Sequence, residues 1–286
     1  MSMAYKGDMG LIVVSGSTGR LGGRVARRLA AAGLAQRLLV RDRARAPELP
    51  TAAIAVAEYG DSDAMRAALQ GADTVLMVSA SETPDRVQRH RTFVDAAAAA
   101  GVGQLVYTSF VGAASDSVFT LARDHWATEE HIRASGLPFT FLRDNLYADF
   151  VTLMVGDDGV IRGPGGTGRA AVVAQDDIAD AAAAVLRDPS GHVGATYDLT
   201  GPRALSFAEM AATLAAVTGR TVTYHDETVP EAYASRVSYG APDWQVDAWV
   251  STYTSVAAGE LAAVSPAVEQ LTGHPATSLE ELLRRG

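Results

Sequence analysis

Leu11-Ile12-Val13-Val14-Ser15-Gly16-Ser17-Thr18-Gly19-Arg20-Leu21-Gly22 is the stretch on which the fold turns. Leu11 to Val14 is a short, β-branched apolar run, the pattern of a strand buried on both faces of a parallel sheet. From Leu21 the spacing Leu21, Val25, Leu29 puts apolar side chains on one helical face until Gly33, which suits a C-terminal cap. The glycines between strand and helix have separate tasks. Gly16 allows a tight turn, Gly19 lets the backbone approach a pyrophosphate, and Gly22 permits close helix-to-strand packing. The helix N-terminus then presents unpaired N–H groups and a favourable dipole to phosphates. In isolation such glycines also fit a purely structural turn; at the head of a βαβ unit they read as a dinucleotide site.

The alternation continues outward from this turn. Arg37 to Arg41 and Ala53 to Glu58 read as strands, Ser62 to Leu69 as a helix and Thr74 to Val78 as a fourth strand. Arg86 to Ala100 is an alanine-rich helix, Gln104 to Thr108 a strand, Asp124 to Ala134 a helix, and Phe139 to Leu142 a sixth strand entered through Pro138. The expected fold class is α/β, a Rossmann-type doubly wound parallel sheet that takes ligands at the carboxyl ends of its strands. Beyond Asn145 the rhythm changes to a Gly-rich segment, Gly156 to Gly168, then a helix from about Asp176, a strand near Thr196 to Leu199 and a helix Phe207 to Thr218. Pro230 to Gly286 is mainly helical in pattern. Residues 1-145 are therefore expected as the NAD(P)-binding core, and 146-286 as a smaller, mainly helical substrate-covering region within one overall domain.

Composition narrows the function. The chain has 286 residues, 48% hydrophobic, with 24 Lys+Arg against 33 Asp+Glu and a net charge of −9. That balance argues against nucleic acid as a partner, because non-specific affinity for phosphate backbones needs clustered positive charge. With no cysteine, disulfides, thiolate catalysis and thiolate metal sites are excluded. The six histidines are too scattered to predict a metal site. The apolar run Leu11 to Val14 is too short for a signal-peptide core or membrane span, so a cytoplasmic protein without membrane contact is expected. A small aromatic molecule is the expected partner, with a homodimer allowed for.

The end of the second strand selects the nicotinamide cofactor, an acidic residue favouring a ribose 2′-hydroxyl and an arginine a 2′-phosphate. Val40 is followed by Arg41-Asp42-Arg43-Ala44-Arg45, and Arg20 stands in the Gly-rich turn. Three arginines outweigh one Asp42, which predicts NADPH, with NADH use also open; a solvated basic loop is the competing account.

Gly16 to Gly22, Val40-Arg41-Asp42, Tyr59-Gly60-Asp61, Ser79-Ala80-Ser81-Glu82, Tyr107-Thr108-Ser109 and Gly273-His274-Pro275 occur in this order. Together they resemble the NmrA-like atypical short-chain dehydrogenases, nearest to the NAD(P)H:quinone oxidoreductase type 2 subgroup, over Leu11 to Leu283. The resemblance implies that Asp61 lies near the adenine, that Ser79, Ala80 and Ser81 line the cofactor, and that Tyr107, Thr108 and Ser109 approach the nicotinamide. Ordinary strand-end polarity is the alternative for Tyr107 and Ser109.

Lys6 is the only lysine. Ordinary short-chain dehydrogenases use a Tyr with a Lys four residues later, the Lys lowering the Tyr pKa; no tyrosine here has such a partner. In lysine-using relatives the catalytic lysine opens the helix that ends at a Gly-x-Pro, here Gly136-Leu137-Pro138, and counting back gives His125. The resemblance extends to His at that place, which makes His125 the catalytic candidate or a structural contact to the cofactor or Glu129. A quinone acceptor requires little of the protein, since hydride addition gives a stabilised anion that water can protonate.

Substrate candidates are Arg143, Asn145 and Tyr147 after the sixth strand, with Trp244, Trp249 and Tyr253 as an apolar wall for a flat ligand or as packing. Where relatives have Arg-Asn-Gly, this chain has Arg143-Asp144-Asn145. Asp176-Asp177 is explained as helix capping. The predicted function is an NADPH-dependent reductase of a quinone or conjugated aromatic compound. A cofactor-binding redox sensor without turnover, or an accessory enzyme acting on a polycyclic aromatic intermediate of secondary metabolism, are the competing classes.

Overall fold

The computed structural model describes residues 10–285, so the expectation attached to Lys6 lies outside the described residues. In chain order the elements are β1 (Ile12–Val14), α1 (Arg20–Ala31), β2 (Gln36–Val40), β3 (Ala52–Val56), α2 (Ser62–Leu69), β4 (Thr74–Met77), α3 (Arg86–Ala99), β5 (Gln104–Phe110), α4 (Thr120–Ser135) and β6 (Phe139–Asp144). There follow β7 (Val160–Gly163), α5 (Gln175–Arg187), β8 (Thr196–Leu199), α6 (Phe207–Thr218), β9 (Thr223–Asp226), α7 (Val229–Arg236), α8 (Asp243–Ala257), α9 (Ala267–Thr272) and α10 (Leu279–Arg285). Among the described residues no helix is long and apolar enough to cross a membrane.

Seven strands form one sheet in the order β3-β2-β1-β4-β5-β6-β8. Val14 stands opposite Leu38 on one side and Leu76 on the other, and Met77 opposite Tyr107, all in parallel register. The ladder continues in the same sense: Leu105 N–H donates to Pro138 O, and Val111 N–H to Asp144 O. This is the predicted doubly wound parallel sheet, and its strand order reverses between β1 and β4, directly after which the Gly-rich turn stands. β1 is buried at every position, which is why it consists of branched apolar residues.

The chain divides by internal contacts into two units, each discontinuous in sequence. One comprises Met1–Thr108, Thr128–Leu142 and Ala179–Thr196; the other Ser109–Ala127, Arg143–Ile178 and Tyr197–Gly286. The first has its core in Val13, Leu39, Met65, Val75, Met77, Phe93, Leu105, Tyr107, Ile132 and Phe141. The second is built around Phe110, Phe119, Ile161, Phe207, Met210, Tyr253 and Val256.

Two features depart from the sequence reading. The segment Gly156 to Gly168, read only as Gly-rich, contains β7, which pairs in parallel with β9 as a separate two-stranded sheet. Strands of four residues joined across some sixty positions leave no local pattern to detect. Asp177, expected as a cap, is the third residue of α5 and has a distant partner: it is 1% exposed, its Oδ2 accepts from Thr277 N–H and its Oδ1 from the Thr277 hydroxyl at 2.8 Å. Side-chain capping does occur elsewhere, at Ser206 with Glu209 on α6 and at Thr228 with Glu231 on α7, both reciprocal boxes.

Candidate functional site

In the first unit, Gly16 turns the chain at φ +61°, a conformation that costs a residue with a Cβ. Gly19 N–H donates to Gly16 O at 2.8 Å, closing the turn. A Cβ on Gly22 would lie 2.5 Å from Gly16 O and 2.7 Å from Ser15 O, so α1 can sit this close only with glycine there. Gly19 caps α1 without a side-chain hydrogen bond, and the first turn has no acidic residue. Thr18, Gly19 and Arg20 are exposed, while Ser17 and Leu21 are buried beneath them. An uncapped helix end of positive polarity over a turn stripped of Cβ atoms suits a pyrophosphate.

Hydrogen bonds fasten the surrounding strand ends. Tyr59 Oη donates to Val78 O at 2.6 Å, so the 2.6 Å contact between Ser15 Oγ and Tyr59 Oη is donated by the serine; Val78 N–H in turn donates to Ser15 Oγ at 2.9 Å. Burial lifts the Tyr59 phenol well above its ordinary value, which the Ser15 bond and the Arg41 charge partly offset. The loop after β4 is held likewise. Ser79 N–H donates to Thr108 Oγ1 at 2.8 Å, Arg86 Nε to Ala80 O at 3.0 Å, and Ala80 N–H to His90 Nε2 at 2.9 Å. Because an amide only donates, His90 is unprotonated at Nε2 and gives its Nδ1 proton to Thr128 Oγ1 at 2.8 Å.

Burial, with the Arg86 charge nearby, lowers the His90 pKa to about 3. The unfolded imidazole titrates near 6.5, so between these values the unfolded chain binds the additional proton. Stability is intact above 6.5 and falls by up to about 1.4 kcal/mol per pH unit as the pH drops toward 3. Urea midpoints at pH 6.5 and 5 should show this loss in the wild type, with a smaller difference in His90→Gln; equal differences would remove His90 as the cause.

Arg41 and Arg45 are exposed after β2, and the Arg41 charge is close enough to act on Tyr59. Asp42 turns away from any competing part: its Oδ1 accepts from Ala44 N–H at 2.9 Å and caps the short 3-10 turn Arg43–Arg45. Arg43 donates to Ile54 O at 3.2 Å. Asp61 caps α2 through Ala64 N–H at 3.0 Å and borders an open depression of about 650 Å³ lined also by Gly60, Asp85 and Arg89. The Tyr107 ring belongs to the core, edge-on to His90 and Phe141 at 5.8 and 6.4 Å. Thr108 and Ser109 are buried at 1% and 2%.

Ser109 and the remaining candidates fall in the second unit. His125 is 6% exposed, its ring 6.0 Å from that of Phe110 at the end of β5. Arg143 and Tyr147 are half-buried. Asn145 is fully buried and its carboxamide is engaged at both ends, Nδ2 donating to Leu261 O at 3.1 Å and Oδ1 accepting from Leu146 N–H at 2.8 Å. That use fixes the turn after β6. Trp244 and Trp249 are half-buried on α8, Trp249 edge-on to Tyr239 at 5.9 Å, whereas Tyr253 packs in the core against Phe207 at 4.8 Å. Tyr253 is therefore not part of an aromatic wall with the two tryptophans. The acid between Arg143 and Asn145 was not singled out by sequence: Asp144 is buried, and burial pushes its carboxyl up to about 8.

The chain is similar to known proteins over nearly its whole length. The chain is 34% identical over 278 residues to quinone oxidoreductase 2 of Escherichia coli (strain K12), covering 95% of this chain and 96% of that protein. It is 33% identical to the NAD(P)H azoreductase of Xenophilus azovorans, covering 96% and 97%. Among solved structures, the NADPH-dependent quinone oxidoreductase QOR2 of Escherichia coli in complex with NADPH superposes with a TM-score of 0.87 at 32% identity, covering 96% of this chain and 99% of that one. The profile of the NmrA-like family matches residues 8–279, and the chain belongs to that family.

Proposed function

We propose that this protein is an NADPH-dependent oxidoreductase that reduces a quinone or a related conjugated aromatic compound. The observation that carries the reading is the uncapped end of α1 above the Gly16–Gly22 turn, with the Arg41 guanidinium at the neighbouring strand end. The names of the quinone and azo-compound reductases, similar over nearly the whole chain, support the substrate class. Gly16, Ser17, Thr18, Gly19, Arg20, Leu21 and Gly22 hold the pyrophosphate, Arg41 and Arg45 the 2′-phosphate, and Asp61 the adenosine side. Ser79, Ala80 and Ser81, with Tyr107, Thr108 and Ser109, form the nicotinamide side, where the buried Tyr107 ring acts as a support. When bound, the reduced nicotinamide supplies the hydride. His125, Arg143, Tyr147, Trp244 and Trp249 face the substrate, and Asn145 shapes the turn between Arg143 and Tyr147. A cytoplasmic location goes with this reading.

The deciding assay is NADPH oxidation by the purified protein with menadione and a panel of related quinones. Turnover is expected; tight NADPH binding without turnover on any quinone would sink the enzyme reading and favour a sensor. Arg41→Ala should lower the ratio of NADPH to NADH affinity about ten- to a hundredfold, since a guanidinium–phosphate contact contributes roughly 1.5–3 kcal/mol. An unchanged ratio, measured by fluorescence titration, would remove Arg41 from the 2′-phosphate.

A further inference from the structure

β4 makes its last ladder pairings at Leu76 with Val14 and at Met77 with Tyr107. The residues that follow, Val78 to Ala80, run past the end of the sheet and have no partner strand. Backbone groups shielded from water must find other partners, and here side chains take them one after another. Val78 N–H donates to Ser15 Oγ at 2.9 Å, and Val78 O accepts from Tyr59 Oη at 2.6 Å. Ser79 N–H donates to Thr108 Oγ1 at 2.8 Å, Ala80 N–H to His90 Nε2 at 2.9 Å, and Ala80 O accepts from Arg86 Nε at 3.0 Å.

Five of the six backbone polar groups in this run are therefore held by side chains. The holders come from the ends of β1 and β5, from the turn before α2 and from α3, all in the first unit. A connection that needed only to lead from strand to helix could close on its own backbone or be hydrated; here each successive peptide plane is fixed. The holders are themselves held. His90 Nδ1 donates to Thr128 Oγ1 at 2.8 Å, Ser15 Oγ donates to Tyr59 Oη at 2.6 Å, and the Tyr59 ring lies 4.7 Å from that of Phe93. His90 and Arg86 are buried. Ser79 O is the group left over, accepting no hydrogen bond among the described residues, and the Ser79 hydroxyl, which accepts from Thr108 Oγ1 at 3.4 Å, keeps its own proton to give. Val78, Ser79 and Ala80 are half-buried, so the run is pinned without being enclosed.

Resting on the reductase reading above, which puts Ser79 to Ser81 beside the nicotinamide, we infer that Tyr59, Arg86 and His90 are positioning residues for hydride transfer, acting through the backbone from Val78 to Ala80. They leave the step itself unaltered: a hydride carries its electron pair to the quinone, and a proton follows from solvent. Their effect is on alignment. Affinity for NADPH comes mainly from its phosphates, at the end of α1 and at Arg41, whereas the rate depends on the distance and angle at which the hydride leaves the ring. A misplacement of about 1 Å is enough to cost roughly a hundredfold in rate. Loosening the run should therefore slow the reaction at nearly constant cofactor affinity.

The test uses the whole protein, preloaded with NADPH and mixed with menadione in a stopped-flow instrument, with the single-turnover rate read per bound NADPH. His90→Leu removes the acceptor for Ala80 N–H. Tyr59→Phe removes the donor to Val78 O while keeping a ring against Phe93, and His90→Gln supplies an acceptor in place of Nε2. The rate should fall at least about tenfold in His90→Leu and in Tyr59→Phe, with the NADPH dissociation constant within about threefold of wild type, and His90→Gln should recover to within about threefold of the wild-type rate. Loss of folded protein, the result of a merely structural role, does not change a rate read per bound NADPH. Should His90→Leu fail to fold, Tyr59→Phe decides. Wild-type rates in the two disruptive variants, a loss of affinity as large as the loss of rate, or a His90→Gln rate as low as that of His90→Leu would overturn the positioning role and leave the reductase reading standing. If the wild type binds NADPH but reduces no quinone, the reductase reading falls, and the fluorescence lifetime of the bound nicotinamide decides whether this run holds the ring: a shorter lifetime in the two variants supports it, and an equal one overturns it. A wild type that binds no NADPH overturns both.

Discussion

Gly22→Ala should lower NADPH affinity by about a hundredfold and the unfolding temperature by several degrees. The Cβ it adds would lie 2.5 Å from Gly16 O, 2.6 Å from Gly16 C and 2.7 Å from Ser15 O. All three are backbone atoms of the turn itself, with no flexible side-chain end able to swing aside. α1 must therefore back away from the turn, and overpacking of this kind costs about 1–3 kcal/mol. For a chain of this size each kcal/mol corresponds to roughly 2–4 °C. Binding suffers as well, because the same displacement withdraws the N–H groups of α1 from the pyrophosphate; a hundredfold loss is about 2.7 kcal/mol. Gly60→Ala is the control for stability, since a Cβ there meets nothing within 4 Å and its φ is not in the left-handed region. Scanning calorimetry and NADPH titration of both variants decide the matter. Wild-type affinity in Gly22→Ala would mean that the Gly-rich turn does not hold the cofactor.

That prediction draws on the part of the molecule most legible in the sequence. A glycine that must adopt positive φ or admit a backbone neighbour is written in the residue itself, and Gly16 and Gly22 are such positions. The parallel sheet was legible for a related reason, since strands such as β1 and β4 are buried at every position and so are uniformly apolar or nearly so. The fastenings around the turn were not. Tyr59 falls in a quoted motif, yet its bonds reach Ser15 just past β1 and Val78 just past β4, and His90 reaches Ala80 and Thr128 across separate elements. No periodicity encodes which side chains meet after folding.

Charge state was the least legible property. As letters, Asp42, Asp61, Asp144 and Asp177 are the same acid. The first two accept one local backbone N–H each, Asp177 binds Thr277 a hundred residues away, and Asp144 is driven toward neutrality by burial. The departure from Arg-Asn-Gly at Arg143-Asp144-Asn145 was visible in the sequence, but the burial of its acid was not. Burial separates Asp144 and Asp177 from the two exposed acids, and the donors supplied by Thr277 separate Asp177 from Asp144.

The largest stability effect is expected at a buried ion pair, Arg236 with Glu227, that sequence left unread. Glu227→Ala should destabilise the protein by about 3–5 kcal/mol, the range for removing one partner of an enclosed salt bridge. Arg236 and Glu227 have side chains only 9% and 4% exposed, joined at 3.0 Å from Nη1 to Oε2. The guanidinium also donates to Ala232 O at 2.8 Å, Ser235 Oγ at 3.1 Å and Arg162 O at 3.1 Å, and lies 5.3 Å from the centre of the Tyr253 ring. Without Glu227 these contacts remain, but the positive charge they hold has no counter-ion and little water. Glu227→Leu combined with Arg236→Met should therefore recover most of the loss, because a neutral pair of similar volume removes the uncompensated charge. Equilibrium urea unfolding of the wild type, both single variants and the double variant measures the coupling. A loss below about 1 kcal/mol in Glu227→Ala, or a double variant no better than the single, would show that the pair is effectively solvated. Tyr253 is held between this arginine and Phe207, and a Cβ on Gly163 would collide with its ring. A substitution at the pair should thus reduce the folded fraction while leaving kcat per folded molecule unchanged.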